Sequence, residues 1–560
     1  MKRRRDSDNP LLLNNLAVLA IKSGRLKKAR RYLERAWVLA PGDGDIAYHL
    51  GRVYEGLGLW TDALRMYFLG AELLGSAKTY RRLGSLCTQL GELTAAIEAE
   101  QETLQLDPQD AGCWRELALN FCLVGELSRS EEAWSHTLSL EPQYHQAHSQ
   151  RLLTLHYSGN WSPQRIHEEH RKWGTSVEQG IEPFPPAPSS GKCRLRVGYM
   201  SPDLDNHAVS FFAEALLRYH NRDVVEAVCF SDFDATTRCA RLHDLADEWH
   251  DTATLSNEEL AKLVRSSNID VLVDLAGHTS PRDRLLVMAA KPARVQITAV
   301  GYPDTTGLTR IDWRLTDSSA DPLGVTDRLH SERLLRLDPC FLCYTPPAET
   351  VPVRNRSVDG PFTFGSFNAL PKISSRVVEI WSRILIQVRE ARLLLKCPGL
   401  ADVRTRDALR QKFERCGVAP DQIVVRAPTE RIEHLQAYGE VDLALDTFPY
   451  NGTTTTCEAM WMGAPVLTLE GNSHVSRVGL SLLTACGLKE FVARSEEHYV
   501  QIATEAVLQR PRMLQLRSDM RQRLRRSVLL DGPGYTRRFE DALIKLSQSS
   551  SGQAFSSNSF

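Results

Sequence analysis

The strongest constraint on this chain is a repeat. Leu16, Leu50, Leu83 and Leu117 fall at intervals of 34, 33 and 34 residues. Each leucine is followed by a small residue: Ala17, Gly51, Gly84 and Ala118. Eight residues beyond the leucines stand Gly24, Gly58, Gly91 and Gly125, and five further on stand Ala29, Ala63, Ala96 and Ser130. Pro41, Pro108 and Pro142 close three of the repeats. A unit of this length cannot bury its apolar face alone, so neighbouring units must stack. The small residues mark where two helices cross, the glycine marks the turn between them, and the proline follows the second helix.

This is the tetratricopeptide pattern, and it predicts about four helical pairs over residues 10–145 with a concave groove suited to peptide or protein. A rigid dimerisation stalk is the alternative reading. Residues 146–192 read as a helical cap, with Trp161, His167, His170 and Trp173, running into a Pro/Ser/Gly-rich linker at 176–192.

The periodicity then changes. Arg196–Met200, Val224–Phe230, Ile269–Leu275 and Val295–Val300 read as strands separated by helical stretches. The pattern restarts at Phe362, with strands at Arg392–Lys396, Ile423–Arg426, Val441–Asp446 and Val466–Leu469. Alternating strands and helices predict doubly wound parallel sheets. The expected plan is an α + α/β chain: an N-terminal lobe at 193–343, a connector at 344–360, a C-terminal lobe at 361–546 and a Ser-rich disordered tail at 547–560. Two such sheets facing each other make a cleft lined by strand-end loops.

Composition removes several classes of function. The 560 residues carry a net charge of −1, which gives no bulk field for nucleic acid or an anionic membrane. No run approaches the ~18 apolar residues of a membrane span. Met1-Lys2-Arg3-Arg4-Arg5 leads into Asp6-Ser7-Asp8-Asn9-Pro10 rather than an apolar core, against a secretory signal. Cys340-Phe341-Leu342-Cys343 is the one Cys-x-x-Cys pair, with no second pair or His cluster beside it. The expectation is a cytoplasmic protein with reduced thiols and no structural zinc.

The chemistry concentrates in Val441–Leu469, where a strand ends at Asp446 and a turn at Pro449, Asn451 and Gly452 precedes Thr453, Thr454, Thr455 and Thr456. Hydroxyls and free N–H groups at a helix start form an anion site. Read as N-caps, the threonines are in excess, since one cap needs one hydroxyl. Lys372, just past the Phe367-Asn368 strand end, would neutralise a leaving diphosphate. His207, Asp274, His278, Tyr302, Asp446 and Glu458 are the other polar candidates at strand ends. No Asp-x-Asp pair lies near the cradle, and no Gly-x-x-x-x-Gly-Lys-Ser/Thr loop occurs, so a metal is not expected to hold the leaving group.

Four motifs carry a resemblance. They are Ser201-Pro202-Asp203 through Asn206-His207; Lys291-Pro292-Ala293-Arg294-Val295-Gln296 with Gly301-Tyr302-Pro303; Phe367-Asn368 with Lys372; and Asp446-Thr447-Phe448-Pro449-Tyr450 through Glu458. Over residues 10 to 540 the chain resembles the nucleocytoplasmic protein O-glycosyltransferases, the O-GlcNAc transferase and SPINDLY group. The resemblance implies a GT-B glycosyltransferase of two Rossmann-like lobes, inverting and metal-free, without a cofactor. It would transfer one sugar from a nucleotide diphosphate to Ser or Thr of intracellular proteins held along the tetratricopeptide groove. It implies that His207 lines the sugar and acceptor site as base or positioning group, and that Val300, Gly301 and Pro303 pack on the sugar. Lys372 would stabilise the departing diphosphate, and Thr453, Thr454 and Thr455 would hold the phosphates. Glu458 would take the ribose, with Arg431 and His434 near the base.

The chain departs from the O-GlcNAc transferase pattern at Ala369, Ala437, Thr453 and Glu458, where that pattern has glutamine, arginine, histidine and aspartate, and it lacks the long insert between the lobes. The Asp446–Tyr450 and Gly452–Glu458 runs look more like SPINDLY. UDP-GlcNAc is the leading donor, as for compact members with few repeats, and GDP-fucose is the alternative. A GT-B enzyme for a small-molecule or lipid acceptor and a non-enzymatic scaffold are the competing classes.

Overall fold

The turn glycines of the repeat, Gly24, Gly58, Gly91 and Gly125, take left-handed φ values of 70°, 73°, 78° and 75°, a region that only glycine enters without strain. In a computed structural model describing residues 9–186, 194–205, 207–232, 240–347, 351–356 and 359–549, each of these glycines joins a helical pair. The pairs are Pro10–Lys22 with Leu26–Leu39, Gly44–Gly56 with Trp60–Leu74, Ala77–Leu90 with Leu93–Leu106, and Ala111–Leu123 with Leu127–Leu140. The small crossing residues are buried, and a Cβ added at Gly51 would lie 2.6 Å from the Tyr67 ring. The array therefore follows the repeat. The chain forms two compact units, Met1–Gln143 with Gly399–Asp407, and Tyr144–Pro398 with Ala408–Phe560. Gly399–Asp407, expected within the C-terminal lobe, groups with the array because the Asp402 carboxylate accepts from Thr94 N at 3.1 Å and Thr94 Oγ1 at 2.9 Å.

Among the described residues, the α/β unit holds two wholly parallel sheets. The first contains β1 (Leu195–Ser201), β2 (Val225–Ser231), β3 (Glu248–Asp251), β4 (Val271–Asp274), β5 (Val295–Thr298), β6 (Trp313–Thr316) and β7 (Arg333–Arg336), in the order β3-β2-β1-β4-β5-β6-β7. The second contains β8 (Thr363–Ser366), β9 (Arg392–Lys396), β10 (Ile423–Arg426), β11 (Leu443–Leu445), β12 (Val466–Leu469) and β13 (Val492–Ala493), in the order β10-β9-β8-β11-β12-β13. Both orders reverse beside the first strand of the lobe. Met200 of β1 pairs with Asp274 of β4, and Gly365 of β8 with Ala444 of β11. Ligand crevices of such sheets open at the carboxyl ends beside that reversal.

Several boundaries shift from those expected. The helices His145–Ser158 and Pro163–Gly180, read as a cap on the array, belong to the α/β unit. Leu152, Leu155, Trp173 and Val177 share one core with Phe230, Leu272 and Met288 of the first lobe. Pro163–Gly180 also runs into the stretch read as linker, whose Phe184 N donates to Ala290 O at 2.8 Å; residues 187–192 lie outside the described residues. The last helix, Gly532–Ser549, extends past the expected lobe end and packs on the first lobe rather than the second. There Glu540 accepts from Asn221 N at 2.8 Å and Thr536 Oγ1 donates to Ala215 O at 3.1 Å. The rest of the tail lies outside the described residues. No described helix is long and apolar enough to cross a membrane.

Candidate active site

At the reversal of the second sheet the loops after β8 and β11 meet. The Asp446 carboxylate, buried at the end of β11, accepts from Gly452 N at 2.7 Å, Thr447 N at 2.9 Å and Thr468 Oγ1 at 2.7 Å, folding the turn back on the strand. Asn451 is held by Nδ2 to Thr447 O at 2.9 Å and by Gly479 N to its Oδ1 at 3.1 Å. Lys372, half-buried after β8, donates to Asn451 O at 3.0 Å and lies 3.9 Å from the Tyr450 ring centre. Burial lowers the Lys372 ammonium from its ordinary value, with Asp446 opposing, while burial raises the Asp446 carboxyl against its hydrogen bonds and the lysine.

The helix Thr454–Trp461 starts at this turn. Thr453 stands at its N-cap with no side-chain cap bond, so the capping reading of the threonines fails there. Thr455 Oγ1 donates to Asn368 Oδ1 at 3.0 Å and Thr456 Oγ1 to Gly452 O at 3.2 Å. The N–H groups of Thr453, Thr454 and Thr455 meet no acceptor among the described residues. They are the orphan donors of a helix start, beside a cation. One turn into the helix, the buried Glu458 carboxylate takes Arg431 Nη1 at 2.5 Å and lies 3.4 Å from His434 Nε2.

Across the cleft, the Arg431 guanidinium carbon lies 4.8 Å from the Phe211 ring centre, on the first lobe. His207 precedes that lobe's helix Ser210–Tyr219, and its side chain is 53% exposed. Its Nδ1 lies 3.5 Å from Asp203 Oδ1 and 3.4 Å from Val209 N. An Asp-held Nδ1–H would leave Nε2 as the basic nitrogen. The loop after β5 is strained, since Val300 takes φ 61°, which a β-branched residue rarely adopts. A Cβ on Gly301 would lie 2.1 Å from Leu275 O, so that backbone presses on the end of β4. Val300 and Gly301 are partly exposed, whereas Pro303 is buried.

Three candidates serve as internal supports. Asp274 accepts from Ala276 N, Gly277 N and Thr298 Oγ1, all within 3.1 Å. His278 is held between Ser149 Oγ and Thr306 O, each at 2.9 Å. The Tyr302 hydroxyl meets His156 Nε2 at 3.1 Å and His170 Nε2 at 2.6 Å. Among the described residues, no group of three or more His, Cys, Asp or Glu could hold a metal ion. Cys340 and Cys343 are free and buried, and burial pushes the Cys343 thiol up to about 12.

A model of glycosyl transferase family 41 matches residues 179–344 and 352–539, and a tetratricopeptide model matches 14–77 and 48–111. The chain belongs to glycosyl transferase family 41. The family match spans His207, Val300, Gly301 and Pro303 in one segment and Lys372, Arg431, His434, Thr453, Thr454, Thr455 and Glu458 in the other. A solved structure of an O-GlcNAc transferase from Thermobaculum terrenum is similar at 32% identity and a TM-score of 0.79, covering 97% of this chain and 98% of that one. A Petunia hybrida protein named as a probable UDP-N-acetylglucosamine–peptide N-acetylglucosaminyltransferase SPINDLY is 38% identical over 408 residues, 70% of this chain. An Arabidopsis thaliana protein with the same type of name, SEC, is 31% identical over 387 residues. The chain spans 43% of the Petunia relative's length.

Within this family 41 site, sequence reasoning missed Asp203, Asn451, Asn368, Tyr450 and Lys396. Asp203 sat in a quoted motif and needed only its spacing to His207, four residues on, to be noticed. Asn451 acts through its main-chain oxygen, which no side-chain pattern reveals.

Proposed function

We propose that the protein is an inverting, metal-independent glycosyltransferase that moves N-acetylglucosamine from UDP-GlcNAc to Ser or Thr of proteins. The observation that carries this reading is the pairing of Lys372 with the unbonded N–H groups of Thr453–Thr455 at one sheet reversal. A cation and a helix start aimed at one point suit a diphosphate whose charge grows as its bond to the sugar breaks. In the reaction, the acceptor hydroxyl oxygen attacks the anomeric carbon as the carbon–oxygen bond to the diphosphate opens. The hydroxyl proton passes to a base, for which His207 Nε2, with Asp203 behind it, is the assigned group. Val300 and Gly301 offer the sugar a backbone surface, and Glu458 offers acceptor oxygens to the ribose. Tetratricopeptide grooves bind extended peptide, which supports a protein acceptor.

The printed names of the plant relatives and of the Thermobaculum enzyme support UDP-GlcNAc as donor. Thr453 and Glu458 favour a second reading, a SPINDLY-type O-fucosyltransferase using GDP-fucose. Transfer from each donor to Ser/Thr peptides, in EDTA and with residues 10–145 removed, tests both readings. Transfer that persists in EDTA and collapses on removal of the array supports them. Transfer to peptide that needs no array favours a small-molecule or lipid acceptor.

A further inference from the structure

Four side chains form a line across the second lobe. Arg431 bonds Glu458 at 2.5 Å, Glu458 lies 3.4 Å from His434 Nε2, and His434 Nδ1 lies 3.0 Å from Lys396 Nζ. Lys396 ends β9 and is 2% exposed. β9 flanks β8 on the side away from the reversal, where a doubly wound sheet receives the nucleoside of a bound nucleotide. The order Thr455, Glu458, His434, Lys396 runs outward from the phosphate cradle, as phosphate, ribose and base do in a nucleotide. Phe367 and Tyr438 flank His434, with ring centroids at 5.5 Å and 5.7 Å.

We propose that Lys396 is a positioning residue for nucleotide binding, acting through His434; this rests on the nucleotide-sugar reading of the cleft. An ammonium is only a donor, so the nitrogen facing it must be the acceptor. Lys396 therefore fixes His434 as the tautomer with Nδ1 bare and the proton on Nε2, directed at Glu458. It also keeps the ring neutral, since a second proton would sit on the nitrogen facing a cation. Glu458 then receives one neutral donor and one guanidinium, and keeps acceptor capacity for ribose hydroxyls. The charged or titratable groups around the ring are Lys396 from β9, Glu458 from the helix Thr454–Trp461, and Tyr438 and Glu433 from the segment carrying His434, with Arg431 beyond Glu458 and Arg426 near Lys396. Without Lys396, His434 is free to take a second proton and to draw Glu458 into a full ion pair.

The test uses the full chain with 15N-labelled histidine, the His434 signals being assigned from their loss in His434→Gln, together with calorimetric titration of UDP-GlcNAc and GDP-fucose from pH 5.5 to 7.5. The expected wild-type result is an Nε2–H tautomer that does not titrate over this range. In Lys396→Met, His434 should titrate within it, as an unheld imidazole does near ~6.5. Donor affinity should then weaken by about fivefold or more towards the acid end, since an ion pair to Glu458 competes with a charge-assisted bond to the ribose. Lys396→Arg should restore the wild-type profile, and His434→Gln added to Lys396→Met should remove the new pH dependence. An Nδ1–H or doubly protonated His434 in the wild type at pH 7, or an unchanged ring in Lys396→Met, overturns the proposal whether or not donor binds. A wild type that binds neither donor overturns the nucleotide-sugar reading instead, and the histidine signals still decide the role of Lys396.

Discussion

Lys372 donates its ammonium to the main-chain oxygen of Asn451, 79 residues away in sequence, at 3.0 Å. That bond ties the loop after β8 to the loop after β11 at the reversal of the second sheet. It holds the cation beside the start of the helix Thr454–Trp461 before any ligand arrives, so the site needs little rearrangement to receive a diphosphate.

Lys372→Met should lower sugar transfer by about 100- to 1000-fold, the range lost when one preorganised donor to a developing charge is removed. The thermal midpoint should stay within a few degrees of the wild type, because a half-buried lysine leaves only a small void. Single-turnover kinetics and a melting curve measure the two effects. Undiminished transfer would remove Lys372 from the chemistry.

The same lysine sets a pH limit. Burial pushes the free Lys372 ammonium down to about 8, with Asp446 opposing. A bound diphosphate favours the charged form, so donor affinity should be full below that value and decline as pH rises through it. Lys372→Arg should move the decline beyond pH ~10, because guanidinium stays protonated. A wild-type affinity that stays flat from pH 7 to 10 would show that the cation is not what binds the donor.

Gly452→Ala should weaken nucleotide binding about tenfold. The added Cβ would lie 2.5 Å from Thr455 Oγ1 and 2.9 Å from Asn368 Oδ1, pushing apart the bond that seats the helix start. Overpacking of this kind costs about 1–3 kcal/mol. Equal affinity in the two proteins, measured by calorimetry, counts against the cradle geometry.

Tyr302→Phe should destabilise the α/β unit by about 1–3 kcal/mol, because His156 and His170 would each lose a buried partner. The loop carrying Val300 and Gly301 should loosen with it and lower kcat. Denaturant unfolding and turnover read the two effects separately.

The array carries its own pH signature. Glu100 is 0% exposed, its Oε1 accepts from Asn120 Nδ2 at 2.7 Å, and its Oε2 has no partner. Burial raises its carboxyl to about 8, against the Asn120 bond. The folded array thus holds a proton that the unfolded chain releases near ~4.3. The stability tied to that proton is complete below the unfolded value and is lost as pH rises towards 8. Glu100→Gln should therefore stabilise the array by a few kcal/mol at neutral pH, with a gain that grows from pH ~4.5 to about 8 and then levels. Melting curves across pH check it; a gain that shrinks with rising pH would refute it.

The array was legible because its period places glycine at left-handed turns and small residues at crossings, both local requirements. The sheets were legible because buried parallel strands read as apolar runs between helices. Lys372 and the threonines were legible because they follow strand ends. What escaped depends on distance. His156 and His170 meet Tyr302 across 146 and 132 residues, and no short pattern links them. Lys396 read as the polar end of a strand, since only its approach to His434 gives it a part to play. The last helix read as part of the second lobe, because adjacency in sequence hides its return to Ala215 and Asn221.

The diphosphate cradle is tested most directly by calorimetric titration of UDP and GDP into the wild type and Lys372→Met at pH 7. The expected outcome is clear binding of one nucleotide over the other, since groups built for one base edge are left unpaired by the other, and a loss of about tenfold to a hundredfold in Lys372→Met, the size of one charge-assisted hydrogen bond. Binding of neither nucleotide by the wild type, or equal binding by both proteins, would mean that Lys372 and Thr453–Thr455 do not form a nucleotide-diphosphate site.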